Sequence, residues 1–393
     1  MSTSRLLLAS LVLTATAPAV PPSVSNIQAT QRAGTKLVDV TYTLTDPDSG
    51  LLTVQVEMSS NSGQSYDLPV RSVSGAIGAG VTPGSSRSFT WNAGLDWNGN
   101  FSSTCRVRLY AFDNSTPVPP LGMVHIPAGT FVMGWESTTI IGGNMTLTKS
   151  YFMERYEVSG VLWATVRDWG NANNYSIGGG AFRAGDHSAQ SMSWYDAVKW
   201  CNARSQKEGL TPCYYIDAAQ TTASIYRTGN TDLTSVMVKW NADGYRLPTE
   251  TEWERAARGG LDRKVYPWSD TIANHQANYN GSGDPFDIND GSVETTPVGY
   301  YNGNQVPAGQ NMANGYGLFD MSGNVREWCW DRYGGGIVFA QSDPIGSDIG
   351  TSRVLRGGAW IDSTSSLRCA SRQDDVPARN VYGWYGFRCV RGQ

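Results

Sequence analysis

The sequence predicts a two-domain protein: an all-β sandwich, then an α+β domain low in regular secondary structure. Three observations point there. The chain has 393 residues, more than one hydrophobic core usually organises. Residues 20–113 carry apolar alternation of strand period, broken by Gly, Ser and Pro turns. After the proline-stiffened linker "NSTPVPP" (114–120), residues 121–393 turn aromatic- and Gly-rich with only short helical stretches. Hydrophobic residues make up 40% of the chain and charged ones 16%, a balance that folds rather than stays disordered. A net charge of −4 and the lack of any Lys/Arg cluster argue against a nucleic-acid partner.

At the N-terminus, Arg5 precedes the apolar run "LLLASLVL", and Ala17-Pro18-Ala19 fits a cleavage site. Residues 1–19 therefore read as a signal peptide, and the protein as secreted, periplasmic or otherwise placed in the cell envelope. No run is long enough to span a bilayer, so no membrane span is expected. Export sends Cys105, Cys201, Cys213, Cys329, Cys369 and Cys389 to a compartment where disulfides persist. None forms a C-x-x-C pair, the histidines are far apart, and spacing leaves the pairing open.

In the first domain, Val38, Val40, Tyr42 and Leu44 share one strand face. Leu52, Val54, Val56 and Met58 share another, as do Cys105, Val107 and Leu109, with Cys105 expected as a buried small hydrophobe. "DPDSG" joins the first two runs and reads as a turn, although its carboxylates are of the kind found in calcium loops. Several short strands of this sort suggest an immunoglobulin-like sandwich. No chemistry is visible in it.

The second domain starts its helices with clear signals. Ser193 and Asp196 form a capping-box pattern ahead of the stripe Trp194, Ala197, Val198 and Cys201. Thr249 and Glu252 repeat the pattern, with Gly259 past the end. A third helix begins at Ser159. There is no G-x-S-x-G, no H-E-x-x-H and no phosphate-binding loop. Acidic pairs such as Glu250/Glu252 and Asp374/Asp375 read as solvated faces or helix-terminal charges.

Taken together, the phrases are distinctive. "MVHIPAGTFVMG", "FMERYEVSG", "MSWYDAVKWCN", "GYRLPTETEWERAARGG", "NGYGLFDMSGNVREWCWD", "RVLRGGAW" and "YGFRCVR" run in this order from Leu121 to the C-terminus. The segment resembles the formylglycine-generating enzyme (sulfatase-modifying factor) family, which implies a variant of the C-type lectin fold. In that family, active enzymes hold Cu(I) between two cysteines to oxidise a substrate cysteine in a C-x-P-x-R context. Soft thiolates suit Cu(I). Here Asp362 stands at the first copper position, the shortened loop that follows is Ser363, Thr364, Ser365, Ser366 and Leu367, and Arg326 replaces a site tryptophan. Copper is not expected. The resemblance also implies structural Ca²⁺ at Asp320, Gly323, Val325 and Glu327, and a second ion at Asn278, Tyr279, Asp290 and Ser292, all hard oxygen donors. It further implies a Cys201–Cys389 disulfide, and leaves Cys369 facing Ala257 where the family has a partner cysteine.

Function lives in the site rather than the fold. The departures at the copper position favour a non-catalytic, lectin-fold module that binds a protein or glycan ligand. Its surface is expected from Asp362, Ser363, Thr364, Ser365, Arg326, Asp374, Tyr382, Trp384 and Tyr385, which mix adaptable polar groups with rigid aromatics. Some proteins of this fold are variable proteins of diversity-generating retroelements, and the tail residues suit such a binder. The alternatives are an oxidase of protein cysteine and a structural envelope protein.

Overall fold

The computed structural model describes residues 21–63, 66, 68, 70–113, 115, 117–135, 141–287, 294–334, 337–380 and 383–392. The expected signal peptide lies outside them. The chain divides into two compact units: residues up to 56, 70–99 and 108–118 form one, and 57–69, 100–107 and 119–393 the other.

The N-terminal strands are β1 (Ser23–Gln31), β2 (Leu37–Thr45), β3 (Leu52–Ser59), β4 (Val73–Gly75), β5 (Gly78–Val81), β6 (Gly84–Asn92) and β7 (Arg106–Phe112), with a one-turn helix α1 (Ala93–Asp96) after β6. They make two sheets, ordered β1-β2-β6-β4 and β5-β3-β7. Because side chains alternate across a strand, β2 buries Val40, Tyr42 and Leu44, β6 buries Phe89 and Trp91, and β3 buries Leu52, Val54, Val56 and Met58. Asp96 in α1 accepts from the backbone N–H groups of Arg71 and Ser72 and from the Trp91 indole. Those donors outweigh its burial and hold its carboxyl at about 2. Cys105 departs from expectation. It lies just before β7 and is exposed, outside the alternation that buries Leu109.

The C-terminal unit carries β8 (Met123–Ile126), β9 (Gly129–Trp135), β10 (Ile141–Leu147), β11 (Tyr151–Glu154), α2 (Gly160–Ala172), α3 (Trp194–Lys207), α4 (Glu250–Ala257), β12 (Arg326–Arg332), β13 (Arg353–Arg356), β14 (Gln373–Asp375), β15 (Tyr385–Gly386) and β16 (Val390–Gly392). Its sheets are β10-β9, β16-β11-β8 and β14-β13-β12-β15. Long turns join these short pieces, so few residues sit in regular structure.

The helices begin where the sequence places them. Ser159 caps α2, and the Ser193/Asp196 and Thr249/Glu252 capping boxes open α3 and α4. Gly259, just past α4, takes φ +56°, the left-handed stop that glycine accepts most readily. The α3 stripe of Trp194, Ala197, Val198 and Cys201 is wholly buried. Each large apolar side chain so buried contributes about 1.5–3 kcal/mol. The core is aromatic: Trp163 stacks on Trp200 at 5.9 Å, and Phe387 meets both edge-on.

Charge is buried beside it. Glu254 in α4 accepts from Arg258 and Arg356, and all three side chains are buried. A carboxylate between two guanidiniums ties α4 to β13 while leaving neither cation without a partner.

Candidate functional site: the loop after the glycine pair

The segment after β13 turns at Gly357 and Gly358, with φ +88° and +72°. A side chain at Gly358 would meet Leu367 and the Ser366 backbone at about 3 Å, so the loop closes tightly over the turn. This aims Asp362 inward. Its carboxylate accepts from Arg326 Nε at 2.8 Å and Arg326 Nη2 at 2.5 Å, and from the Ala359 N–H at 2.9 Å. Burial alone would lower the Arg326 pKa, but the Asp362 carboxylate outweighs it and the net shift is upward. The pair is a bidentate, largely desolvated ion pair.

Other contacts bring the tail to the same place. The Trp360 indole donates to the Gly383 carbonyl at 2.9 Å, and its ring meets Trp384 edge-on at 6.3 Å. β15 pairs in parallel with β12 through Arg326–Tyr385 and Glu327–Gly386. The Tyr385 hydroxyl donates to Asp375 Oδ2 at 2.7 Å. The loop from Asp362, strand β14 and the last turn before β15 are thereby linked through Arg326 and Tyr385.

Two expectations are corrected here. Asp362 and Arg326 are not exposed ligand groups, because each neutralises the other beneath the surface. Tyr385 offers no ring to solvent either: it is 3% exposed, set into the sheet against Trp328. Ser363, Ser365 and Asp374 are exposed, and Thr364 and Trp384 are partly so. Ser363 and Ser365 bond each other through their hydroxyls at 2.9 Å. Tyr382 lies outside the described residues.

Behind this loop sits a buried group of acids, Glu157, Asp320 and Glu327. Glu327 accepts from Arg388 Nη2 at 2.7 Å and from the Trp253 indole at 2.8 Å. Asp320, at φ +57°, accepts from the Gly299 N–H at 2.6 Å. Glu157, which no sequence motif marks, accepts from the Asn324 amide, the Val325 N–H and Ser188. Burial pushes the Asp320 carboxyl up to about 6, with the Glu327 charge adding to the rise. Glu157 is driven well above the carboxylate range, first by burial and then by the charges of Asp320 and Glu327. Arg388 is the cation that these three acids share among the described residues.

That surplus of buried negative charge suits a hard divalent cation. The side chains are not drawn into one tight cage, however. Among the described residues, no group of three acidic, His or Cys ligand atoms lies within 4.8 Å of one another at Asp320 and Glu327. Glu327 is turned to Arg388 and Trp253, and Asp320 to Gly299. At the second expected site, the Asn278 amide donates to the Glu294 carbonyl, and the Tyr279 carbonyl accepts from Ser282. Asp290 and Ser292 lie outside the described residues.

The Cys201 and Cys389 sulfurs face each other at 3.6 Å as buried thiols. Cys369 and Ala257 lie in one buried cluster with Cys329. Burial pushes the Cys369 and Cys213 thiols up to about 12, so neither is a ready thiolate.

Few helices, short sheets and long connecting turns around an aromatic core fit the C-type-lectin-like class. Within it, the chain belongs to the family of the sulfatase-modifying factor enzyme 1-like domain, whose model matches residues 111–393. It is 34% identical over 261 residues to the "Chaperone protein LppX" of Paenibacillus barcinonensis, covering 64% of this chain and 82% of that one. It is 33% identical over 300 residues to the formylglycine-generating enzyme of Thermomonospora curvata, covering 68% of this chain and 93% of that one. Among solved structures, Treponema denticola variable protein 1 is similar with a TM-score of 0.53 and 28% identity, over 69% of this chain and 95% of that one. Among the described residues, no helix is long and apolar enough to cross a membrane.

Proposed function

We propose that the chain is an exported binding protein whose C-terminal unit presents the 359–366 loop and the turn before β15 to a protein or glycan ligand, and that it is not a copper oxidase. The observation that carries this reading is the Arg326–Asp362 ion pair. Where the resemblance puts a copper thiolate, this chain has a hard carboxylate already neutralised by a guanidinium, in a loop of hydroxyls. Such a donor set does not fit Cu(I). The cysteines give no substitute, since Cys369 is buried with its proton held tightly.

The exposed hydroxyls of Ser363 and Ser365 and the exposed carboxylate of Asp374 supply adaptable contacts, and Trp360 and Trp384 supply partly exposed rings. Likeness to a protein described as variable supports a surface open to substitution, and likeness to one described as a chaperone favours a protein ligand. Structural calcium, held by Asp320 and Glu327 with the carbonyls of Gly323 and Val325, would neutralise the acids beneath the loop. It would supply charge compensation, with no part in chemistry.

Two assays test the reading. Copper-treated protein incubated with a C-x-P-x-R peptide is expected to form no aldehyde; aldehyde formation that disappears in Asp362→Ala would overturn it. On arrays of immobilised glycans and proteins, the chain is expected to retain a ligand that Ser363→Arg/Ser365→Arg loses. Equal retention by that variant would place recognition elsewhere.

A further inference from the structure

We propose that the C-terminal unit holds a second ligand site, a cavity that takes one ring of an uncharged saccharide among Trp240, Asn241, Lys149 and Thr249. The cavity has a volume of about 550 Å³, within the range of small-ligand sites. Separate stretches of the chain enclose it: the β10–β11 turn, residues 240–246, the start of α4, residues 343–345 and the end of β16. It shares no lining residue with the 359–366 loop and does not depend on what that loop binds.

The floor is buried and its charges cancel. Arg246 grips the Glu252 carboxylate through two hydrogen bonds of 2.7 Å, and the Tyr151 hydroxyl donates to the Glu252 carbonyl at 2.6 Å. Thr249 is 3% exposed, and its hydroxyl oxygen accepts from the Glu252 N–H at 3.2 Å. Among the described residues, the proton of that hydroxyl has no acceptor. Buried donors are rarely left so, and a ligand oxygen in the cavity would satisfy it. At the rim, Lys149 and Asn241 are exposed, and neither side chain makes a hydrogen bond or ion pair among the described residues. Asp343, also exposed, accepts from the Thr148 N–H at 2.7 Å and from the Thr148 hydroxyl.

These groups select the ligand. Lys149 and Arg246 balance Glu252 and Asp343, so the cavity offers no net attraction to an ion and favours an uncharged guest. Donors (Thr249, Asn241, Lys149) and acceptors (the carboxylates and the Asn241 carbonyl) stand together, and a sugar hydroxyl uses both because it donates and accepts. Leu147, Trp240, Ala242 and Pro344 supply an apolar wall for the C–H face of the ring. Trp240 is set in place beforehand. Its indole donates to the Ser235 carbonyl at 3.1 Å, the Arg246 guanidinium lies 5.4 Å from its ring centre, and Trp330 meets it edge-on at 5.7 Å. A ring already fixed loses little freedom when the ligand arrives. One pyranose, of about twelve non-hydrogen atoms, binding at the efficiency of ordinary ligands has a dissociation constant on the order of 1 mM.

The test is saturation-transfer NMR on the full chain with glucose, galactose, mannose and N-acetylglucosamine, each raised to about 20 mM, well above that dissociation constant. At least one sugar is expected to receive saturation, and Lys149→Ala/Asn241→Ala is expected to weaken its binding at least about tenfold. Both side chains are exposed and without a protein partner among the described residues, so this double variant keeps the fold and decides the matter. Ser363→Arg/Ser365→Arg is expected to bind the sugar as the wild type does, which separates the cavity from the loop. Transfer to none of these sugars overturns the proposal. So does binding that Lys149→Ala/Asn241→Ala leaves unchanged or that Ser363→Arg/Ser365→Arg removes.

Discussion

Replacing Arg326 by glutamine should reveal what holds the loop after the glycine pair in place. The Arg326 and Asp362 side chains are 19% and 10% exposed, so the pair is closer to a buried bridge than to a surface one. Breaking a fully buried pair costs about 3–5 kcal/mol, because one charge stays behind without a partner. Residual exposure, and the Ala359 N–H that Asp362 keeps, bring the expected loss to about 2–3 kcal/mol. For a unit of this size each kcal/mol moves the melting temperature by roughly 2 °C, giving a fall of about 4–6 °C. Asp362→Asn should cost a similar amount by stranding the guanidinium. The double variant should cost less than the sum, with a coupling of about 1.5–2 kcal/mol measured by thermal and denaturant unfolding. A coupling under about 0.5 kcal/mol would show that the pair is ornamental and that the turn glycines alone hold the loop.

Three further outcomes are expected. Chelation should lower the melting temperature of the C-terminal unit if calcium offsets the Glu157, Asp320 and Glu327 charges, and Glu327→Gln should abolish that sensitivity; an identical melt in excess chelator refutes it. Under oxidising conditions mass spectrometry should find Cys201 linked to Cys389, and reduction should cost roughly 4–5 kcal/mol, since the bridge would close a very long loop; persistence of both free thiols counts against the pairing. Burial, with the neighbouring Glu250 and Glu252 charges, raises Asp331 to about 7, far above its unfolded value. The folded state then binds the extra proton, so this group's contribution is most favourable at low pH and is lost as pH rises from about 4 through 7. Compared with Asp331→Asn, the wild type should lose stability over that window, by up to about 1.4 kcal/mol per pH unit; parallel profiles would refute it.

What the sequence made legible was local. The capping boxes of α3 and α4 and the alternation of β2 and β3 are written within a few residues, and each appears where expected. The buried charges were illegible for the opposite reason. Arg356 reaches Glu254 across 102 positions and Arg388 reaches Glu327 across 61, and no short pattern marks such partners. Tyr385 misled because an aromatic in a polar tail looks like surface, until a two-residue parallel pairing with β12 turns it into sheet. Glu157 lay inside a recognised phrase, yet nothing in "YEVSG" says that its carboxylate will cap the Asn324 turn. Asp362 reads from the sequence as an exposed polar group because the arginine that neutralises it sits 36 residues earlier.

Three side-chain contacts secure the tail from its underside: the Trp360 indole on Gly383, the Tyr385 hydroxyl on Asp375, and Arg326 on Asp362. The exposed side chains of Ser363, Ser365, Asp374 and Val376 take no part in those anchors. Folding and outward chemistry are therefore carried by different residues of the same short stretch. Substitutions at the outward positions are thus expected to cost little stability, while those at the anchoring residues beneath are expected to cost much more.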